Sequence, residues 1–140
     1  MNSFLNLIDR MKLPFLSERE LRLSLYAILG VYPHSLSVYK QALRHKSVRR
    51  SGDEKEAIGN NERLEFLGDA ILDAAVGHIV FKHFAHNGEG FLTNTRSKLV
   101  QRDTLNRLAH DIGLDRLIVS CNMNETHNSY LGGNAFEALV

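Results

Sequence analysis

Residues 61–84 constrain the fold more than any other part of this 140-residue sequence, because they contain no proline and carry a helical pattern of apolar residues. Leu64, Leu67, Ile71 and Ala75 recur at spacings of three and four, which places them along one side of an α-helix. No alternating strand pattern and no internal repeat is found elsewhere. We therefore predict an all-α fold with a long central helix.

Acidic residues occupy the side of this helix opposite the apolar stripe. Glu62, Glu65, Asp69 and Asp73 follow one another at steps of three, four and four, so that their Cα positions span roughly 80° of arc. Like charges at this spacing repel by a few tenths of a kcal/mol. The face is therefore either a solvated acidic stripe or part of a cation site. Several carboxylates on one rigid helix, joined by another from elsewhere, suit Mg²⁺ or Mn²⁺.

Shorter helices are predicted on both sides of the central helix. Those before it cover residues 4–11, 17–29 and about 35–43, the second starting at a Ser17–Glu20 capping box. Those after it cover 93–109, 112–119 and a segment that begins near residue 133. The buried side of the 93–109 helix is predicted to comprise Leu99, Val100, Leu105 and Leu108. Polar residues predict loops at 51–60 and 121–130.

The composition predicts one globular domain in a reducing compartment. Hydrophobic residues make up 44% of the chain, and Cys121 is its single cysteine, so no internal disulfide can form. The N-terminus lacks a signal-peptide pattern, and no apolar run approaches the roughly 18 residues that span a bilayer. We therefore expect a cytoplasmic protein with no membrane partner. The net charge of +1 is low for a protein that holds RNA by bulk electrostatics.

The string NERLEFLGDAIL at 61–72 resembles the signature of the ribonuclease III family. Three further segments are similar to the family in the same order: QALRHKS at 41–47, FLTNTRSKLV at 91–100 and GNAFEAL at 133–139. The similarity covers roughly residues 35–140. The chain is therefore predicted to be a ribonuclease III endonuclease domain over 1–140, apparently truncated at its C-terminal end and without a double-stranded-RNA-binding domain.

The resemblance implies a role for each matching acidic residue. Glu65 and Asp69 match carboxylates that hold catalytic metal, and Glu137 matches the essential carboxylate of the second acidic motif. Asn134 occupies a position where the family usually has Asp. Asp69 and Glu137 are thus the predicted catalytic residues, and the predicted metal ligands are Glu65, Asp69, Asn134 and Glu137. The implied cofactor is Mg²⁺, with Mn²⁺ as a substitute.

The departure at Asn134 bears directly on metal binding. The Asn134 amide oxygen can still bind Mg²⁺ or a water of the ion. Asparagine in place of aspartate nevertheless removes one negative charge, and its side chain cannot act as a base. Weaker metal binding is the direct expectation. The three remaining carboxylates are enough for a working site, and we favour an active enzyme.

The resemblance also implies the substrate and the assembly. The family cuts double-stranded RNA to leave 5′-phosphate and 3′-hydroxyl ends, which suggests a role in rRNA or other RNA processing. It works as a homodimer, in which Phe66 matches an aromatic that fits into the partner subunit. Glu62 matches a position linked to the cleavage site or to dimer contacts. Arg96, Ser97 and Lys98 are candidate RNA contacts, with an ordinary helical turn as the alternative.

Two other classes of function were weighed. The segment Ala109-His110-Asp111-Ile112-Gly113 resembles the centre of an HD-type phosphohydrolase motif, but the only aspartate after it, Asp115, is four residues away. A complete metal site of that type is therefore disfavoured. The second alternative is a catalytically weakened module that binds RNA or a ribonucleoprotein without cutting, as Asn134 would permit.

Overall fold

The computed structural model describes residues 18–48, 59–121 and 130–140. They belong to two compact units, which divide between Tyr39 and Lys40. The predicted helix at 4–11, the Ser17 half of the capping box and most of the two predicted loops lie outside the described residues.

The described residues are helical, which confirms the all-α prediction. The helices are α1 (Arg19–Leu29), α2 (Ser37–Leu43), α3 (Glu62–His83), α4 (Glu89–Leu99), α5 (Arg102–Asp111) and α6 (Leu131–Leu139), with a 3₁₀ turn at Leu114–Leu117. An isolated parallel bridge pairs Arg44 with Val119. No described helix is long and apolar enough to cross a membrane.

The first unit contains α1 and the segment that follows it. Gly30 ends α1 in the left-handed region, with φ 73°, and its N–H bonds to the Tyr26 carbonyl. The Tyr26 ring stacks on Tyr32 with 4.2 Å between the ring centroids. The Arg22 guanidinium donates to the Pro33 carbonyl. These contacts fix the turn after α1.

In the second unit, the long helix α3 packs against α6 and α4. Its buried positions include Gly68 and Val80, and further buried residues come from α5 and α6, including Leu105, Ala109 and Ala135. The core therefore lies where α3, α5 and α6 converge.

The predicted apolar stripe of the central helix is not its buried face. Leu67 and Ile71 are 56% and 45% exposed, Ala75 is also exposed, and Leu64 is only half-buried. Apolar residues occur around most of α3, so the periodicity could not select one face. The contact between Gly68 and α6 selects it instead.

The predicted helix at 93–109 is two helices. The Val100 N–H still bonds to the Arg96 carbonyl, but Gln101 is extended and ends the helical path. The Thr104 hydroxyl donates to the Lys98 carbonyl over 3.0 Å, which satisfies an acceptor at the end of α4. Of the predicted buried side, Leu105 is buried, whereas Leu99 and Leu108 are exposed.

Candidate active site

A cleft of about 420 Å³ opens in the second unit where the first half of α3 meets α5 and α6. Its walls carry acidic, basic and amide side chains around one exposed aromatic ring. The lining residues are Lys46, Glu62, Glu65, Phe66, Asp69, Arg102, Asn134 and Glu137. The cleft therefore brings together carboxylates from two helices that are far apart in the sequence.

Gly68 allows these two helices to approach each other. A Cβ atom at this position would lie 1.7 Å from the Glu137 carbonyl oxygen and 2.6 Å from its carbonyl carbon. Because these are backbone atoms, no side-chain rotation could relieve the clash. Glu65 and Asp69 flank Gly68 by three residues and one residue, so the close approach places Glu137 beside both.

The first turn of α6 is held by Asn106 on α5. The Asn106 Oδ1 atom accepts a hydrogen bond of 2.7 Å from the Gly133 N–H. This satisfies one of the free N–H groups at the start of α6. A Cβ at Gly133 would lie 3.2 Å from the same oxygen. The Gly-Asn pair of the second motif is thus held against α5, and Asn134 lines the cleft.

Lys46 reaches the cleft from the segment between α2 and α3. The His45 N–H bonds to the Val119 carbonyl and the Asn61 N–H to the Arg44 carbonyl, each over 3.0 Å. These two bonds place residues 44 and 45 beside the start of α3. The Lys46 ammonium then lies 3.4 Å from a Glu62 carboxylate oxygen.

The carboxylates of the cleft differ in their electrostatic surroundings. Hydrogen bonds from Asn60 and Lys46 lower the pKa of Glu62. Desolvation raises the pKa of Glu137, and the charges of Asp69 and Glu65 raise it further, against an opposing effect of Arg102. Desolvation also raises the pKa of Glu65. Burial and neighbouring negative charge therefore disfavour the ionised forms of Glu65 and Glu137.

The donor set of this region fits a hard divalent cation. Three carboxylates and the Asn134 amide oxygen are the oxygen ligands that Mg²⁺ prefers, and a bound cation would relieve their repulsion. Within the described parts of the chain, no three acidic, His or Cys side chains form a ready-made ligand group. An open set is compatible with Mg²⁺, which keeps several of its waters and takes one or two carboxylates directly.

The predicted site residues are distributed between the cleft and α4. Six line the cleft: Glu62, Glu65, Phe66, Asp69, Asn134 and Glu137. The other three lie on α4 outside its lining. The Arg96 Nε atom lies 3.6 Å from an Asp73 oxygen, so the fourth acid of the α3 face pairs away from the cleft. The Ser97 hydroxyl donates to the Thr93 carbonyl, and Lys98 is exposed.

Arg102 and Asn106 contribute to the site but were not predicted from the sequence. Both lie on α5, one turn apart, so one of its ends carries a cation at the cleft and a side-chain acceptor for α6. Neither belongs to a motif that predicts metal chemistry. The helical spacing of the two residues was the available signal, but it does not show which element α5 faces.

The HD-like segment has a local interaction of its own. The His110 Nδ1 atom lies 2.9 Å from an Asp115 oxygen, and the two exposed side chains join the end of α5 to the 3₁₀ turn. Neither residue lines the cleft.

The fold and the cleft can now be compared with known proteins. The sequence profile of the ribonuclease-III-like family matches residues 35–140, three quarters of the chain. The chain therefore belongs to the ribonuclease III family. Its curated relatives are endoribonuclease hydrolases.

Individual relatives agree with this assignment. The chain is 59% identical to Ribonuclease 3 of Phocaeicola vulgatus over 98% of its own length and 44% of the relative, and 57% identical to Ribonuclease 3 of Bacteroides thetaiotaomicron over 96% and 43%. It thus spans less than half of these curated relatives. A solved nuclease domain of ribonuclease III from Campylobacter jejuni, described as flexible in a region involved in dimer formation, superposes with a TM-score of 0.70. That comparison has 33% identity and covers 83% of this chain and 79% of the other.

Proposed function

We propose that the chain is the nuclease domain of an endoribonuclease that hydrolyses double-stranded RNA with Mg²⁺, or with Mn²⁺ in its place. One observation carries the proposal: in a member of the ribonuclease III family, Glu65 and Asp69 of α3 and Glu137 of α6 line one cleft. The single-domain organisation over 1–140 and the cytoplasmic location are part of the same proposal.

The residues of the cleft divide into two chemical roles. The cation would be held, directly or through its waters, by Glu65, Asp69, Glu137 and the Asn134 amide oxygen. Asp69 and Glu137 are the proposed catalytic residues. When bound, Mg²⁺ supplies acidification of a water and neutralisation of the charge that develops on phosphate oxygens. The family resemblance adds products with 5′-phosphate and 3′-hydroxyl ends, and a place in rRNA or other RNA processing.

Duplex RNA and a second copy of the chain are the proposed partners. Duplex RNA is recognised through its shallow minor groove, its 2′-hydroxyls and its phosphates. Lys98 is exposed on α4 and is available for such contacts, with Arg96 and Ser97 on the same helix. Phe66 is 82% exposed at the edge of the acidic cleft, which is unusual for an aromatic and suits contact with a partner subunit. Glu62 lies beside it in the cleft lining.

Cleavage of a long duplex RNA tests the proposal. We expect cutting with Mg²⁺ or Mn²⁺, none with excess EDTA, and a loss of at least about a hundredfold in rate for Glu137→Gln, because the change removes one charge from the cation site at nearly constant volume. Glu89→Gln is the matched control, since Glu89 is exposed on α4, accepts a hydrogen bond from Thr93 and does not line the cleft. Cutting that persists in EDTA, or a Glu137→Gln rate equal to that of the control, would contradict the proposal.

A module that binds RNA without cutting is the second candidate, and the neutral Asn134 in the cleft lining favours it. A titration of the cleavage rate with Mg²⁺ separates the two functions. For an active enzyme, Asn134→Asp should lower the half-saturating Mg²⁺ concentration by about tenfold, or roughly 1.4 kcal/mol, and Asn134→Ala should raise it. An inactive parent chain that becomes active only after the Asn134→Asp substitution would favour the binding module.

A further inference from the structure

Arg102 is a second cation in the cleft, and it comes from a different wall than Lys46. It is the first residue of α5, and its exposed side chain lines the same cleft as Glu65, Asp69 and Glu137. Its helix is joined to α6 by the hydrogen bond of 2.7 Å that the Gly133 N–H donates to the Asn106 Oδ1 atom. The Arg102 side chain therefore begins beside the second acidic motif.

The aromatic ring of Tyr130 holds the Arg102 side chain. The guanidinium carbon lies 4.8 Å from the ring centroid, within the range of a cation–π contact. A guanidinium stacked on a ring keeps its N–H donors around its edge, where they remain available to an anion. The ring thus restricts the side chain without using its hydrogen-bonding groups.

The two cations of the cleft are engaged differently. Lys46 pairs with Glu62 at 3.4 Å. Among the residues that the structure describes, Arg102 forms no such ion pair, although its charge acts on both Glu65 and Glu137. It lies near these carboxylates without being neutralised by one of them.

The charges of the cleft leave a role for this cation. Glu62, Glu65, Asp69 and Glu137 carry four negative charges when ionised, and Lys46 and Arg102 carry two positive ones. One divalent cation would bring this set to neutrality only with the charge of Arg102 included, so each RNA phosphate that enters adds a negative charge. Of the two cations that line the cleft, Arg102 is the one without a close ion pair among the described residues, so its N–H donors can meet the phosphate.

We propose that Arg102, positioned by Tyr130, binds a phosphate oxygen of the RNA strand that enters the cleft. The planar guanidinium can donate two parallel hydrogen bonds to a phosphate. This role rests on the nuclease function proposed above and adds a substrate-binding residue to it. It also predicts that Arg102 opposes metal binding in the absence of RNA, since it competes electrostatically for the same carboxylates.

Arg102→Gln in the full chain should change two affinities in opposite directions. Binding of Mn²⁺ without RNA, followed by the electron paramagnetic resonance signal of the free ion, should become about threefold tighter as a nearby positive charge is lost. Binding of a duplex RNA, measured with Mg²⁺ in a Glu137→Gln background that prevents cutting, should become about fivefold weaker. In a plot of the logarithm of RNA affinity against the logarithm of salt concentration, the magnitude of the slope should decrease by nearly one.

Arg107→Gln is the matched control, because Arg107 is exposed on the same helix and does not line the cleft. It should change neither affinity by as much. Arg102→Lys should bind Mn²⁺ as the parent chain does, because it keeps the charge. Its RNA affinity should lie between those of Arg102→Gln and the parent chain, because it loses the paired donors. Tyr130→Leu should weaken RNA binding more than Tyr130→Phe, which keeps the ring.

The outcomes separate this role from the nuclease function. If the parent chain binds Mn²⁺ and duplex RNA but Arg102→Gln matches Arg107→Gln in both, the role of Arg102 is wrong while the nuclease proposal stands. Both affinities falling together in Arg102→Gln would show a structural role and also overturn it. A parent chain that binds neither Mn²⁺ nor duplex RNA would overturn both proposals.

Discussion

Glu65 and Glu137 show at the scale of single residues that the cleft is built at some cost to stability. Both are half-buried and face other negative charges. Desolvation raises the pKa of each, and for Glu137 the charges of Asp69 and Glu65 add to it. In the folded state both therefore bind protons more readily than in the unfolded chain, where their pKa is ordinary.

The two glutamates should consequently add stability to the metal-free chain as the pH falls from 7 towards about 5. Over this range their folded forms take up protons that the unfolded chain does not yet bind, which raises the free energy of unfolding. Burial lowers the pKa of His45, and this acts in the opposite sense over the same range, because the unfolded histidine binds its proton more readily than the folded one. The lowered pKa of Glu62 opposes the trend only at lower pH, where unfolded glutamates are protonated. Thermal unfolding in EDTA at several pH values measures the trend.

Glu137→Gln supplies the comparison for this trend. It should unfold at a higher temperature than the parent chain at pH 7 in EDTA, and this difference should narrow as the pH falls towards 5, whereas Glu62→Gln should keep the parental trend over this range. Added Mg²⁺ should stabilise the parent chain more than Glu137→Gln. A difference in unfolding temperature between Glu137→Gln and the parent chain that stays constant from pH 7 to 5 would contradict the electrostatic account.

At the scale of elements, the site depends on how closely α3 approaches α6. Glu137 comes near Glu65 and Asp69 because the two helix backbones meet at Gly68. A Cβ at this position would lie 1.7 Å from a backbone carbonyl oxygen, so any larger residue must separate the helices. The asparagine bond from α5 to Gly133 holds the other side of α6.

Gly68→Ala should therefore destabilise the chain by about 3 kcal/mol or more, at the upper end of the cost of overpacking a core, and should weaken Mg²⁺ binding. Gly77→Ala on the same helix is the control, because its Cβ would meet the Arg96 side chain at an ordinary 3.6 Å. That change should stabilise α3 by about 0.5–1 kcal/mol, the usual helical preference for alanine. Denaturant unfolding of both variants measures the difference, and equal effects would show that the α3–α6 approach is not tight.

At the scale of the whole molecule, the central helix leaves several large apolar side chains exposed to water. Phe66, Phe81 and Ile79 are each more than 60% exposed, and Leu67 and Ile71 are about half exposed. Exposed large apolar side chains at a cleft are typical of interaction surfaces. A second copy of the chain is the proposed occupant of the part of this surface around Phe66.

Phe66→Ala should weaken dimerisation by roughly 30-fold, which corresponds to the 2 kcal/mol typical of a central aromatic in an interface. Phe81→Ala is the matched control on the same helix, since Phe81 is also exposed but lies about four turns further along. Sedimentation equilibrium over a range of concentrations measures both dissociation constants. A parent chain that is monomeric at every concentration, or equal losses for the two variants, would contradict a specific role for Phe66.

The sequence by itself determined the helical class, the extent of α3 and most of the acidic residues of the cleft. These follow from local information: α3 has no proline from Glu62 to His83, and its acids recur at helical spacing. The signature string and the second motif also identified Asn134 and Glu137 as companions of Glu65 and Asp69, a prediction that the shared cleft lining supports but does not test.

Only the tertiary structure decided which face of α3 is buried, which acid leaves the cleft and which cation enters it. Leu67 and Ile71 fit the core pattern but are exposed. The buried face of α3 is instead the one that contains Gly68, because α6, a helix distant in the sequence, packs closely against it there. Asp73 belongs to the acidic face but pairs with Arg96, and Arg102 reaches the cleft from α5. Helical periodicity reports on neighbours within a few turns, whereas these outcomes depend on contacts between separate helices.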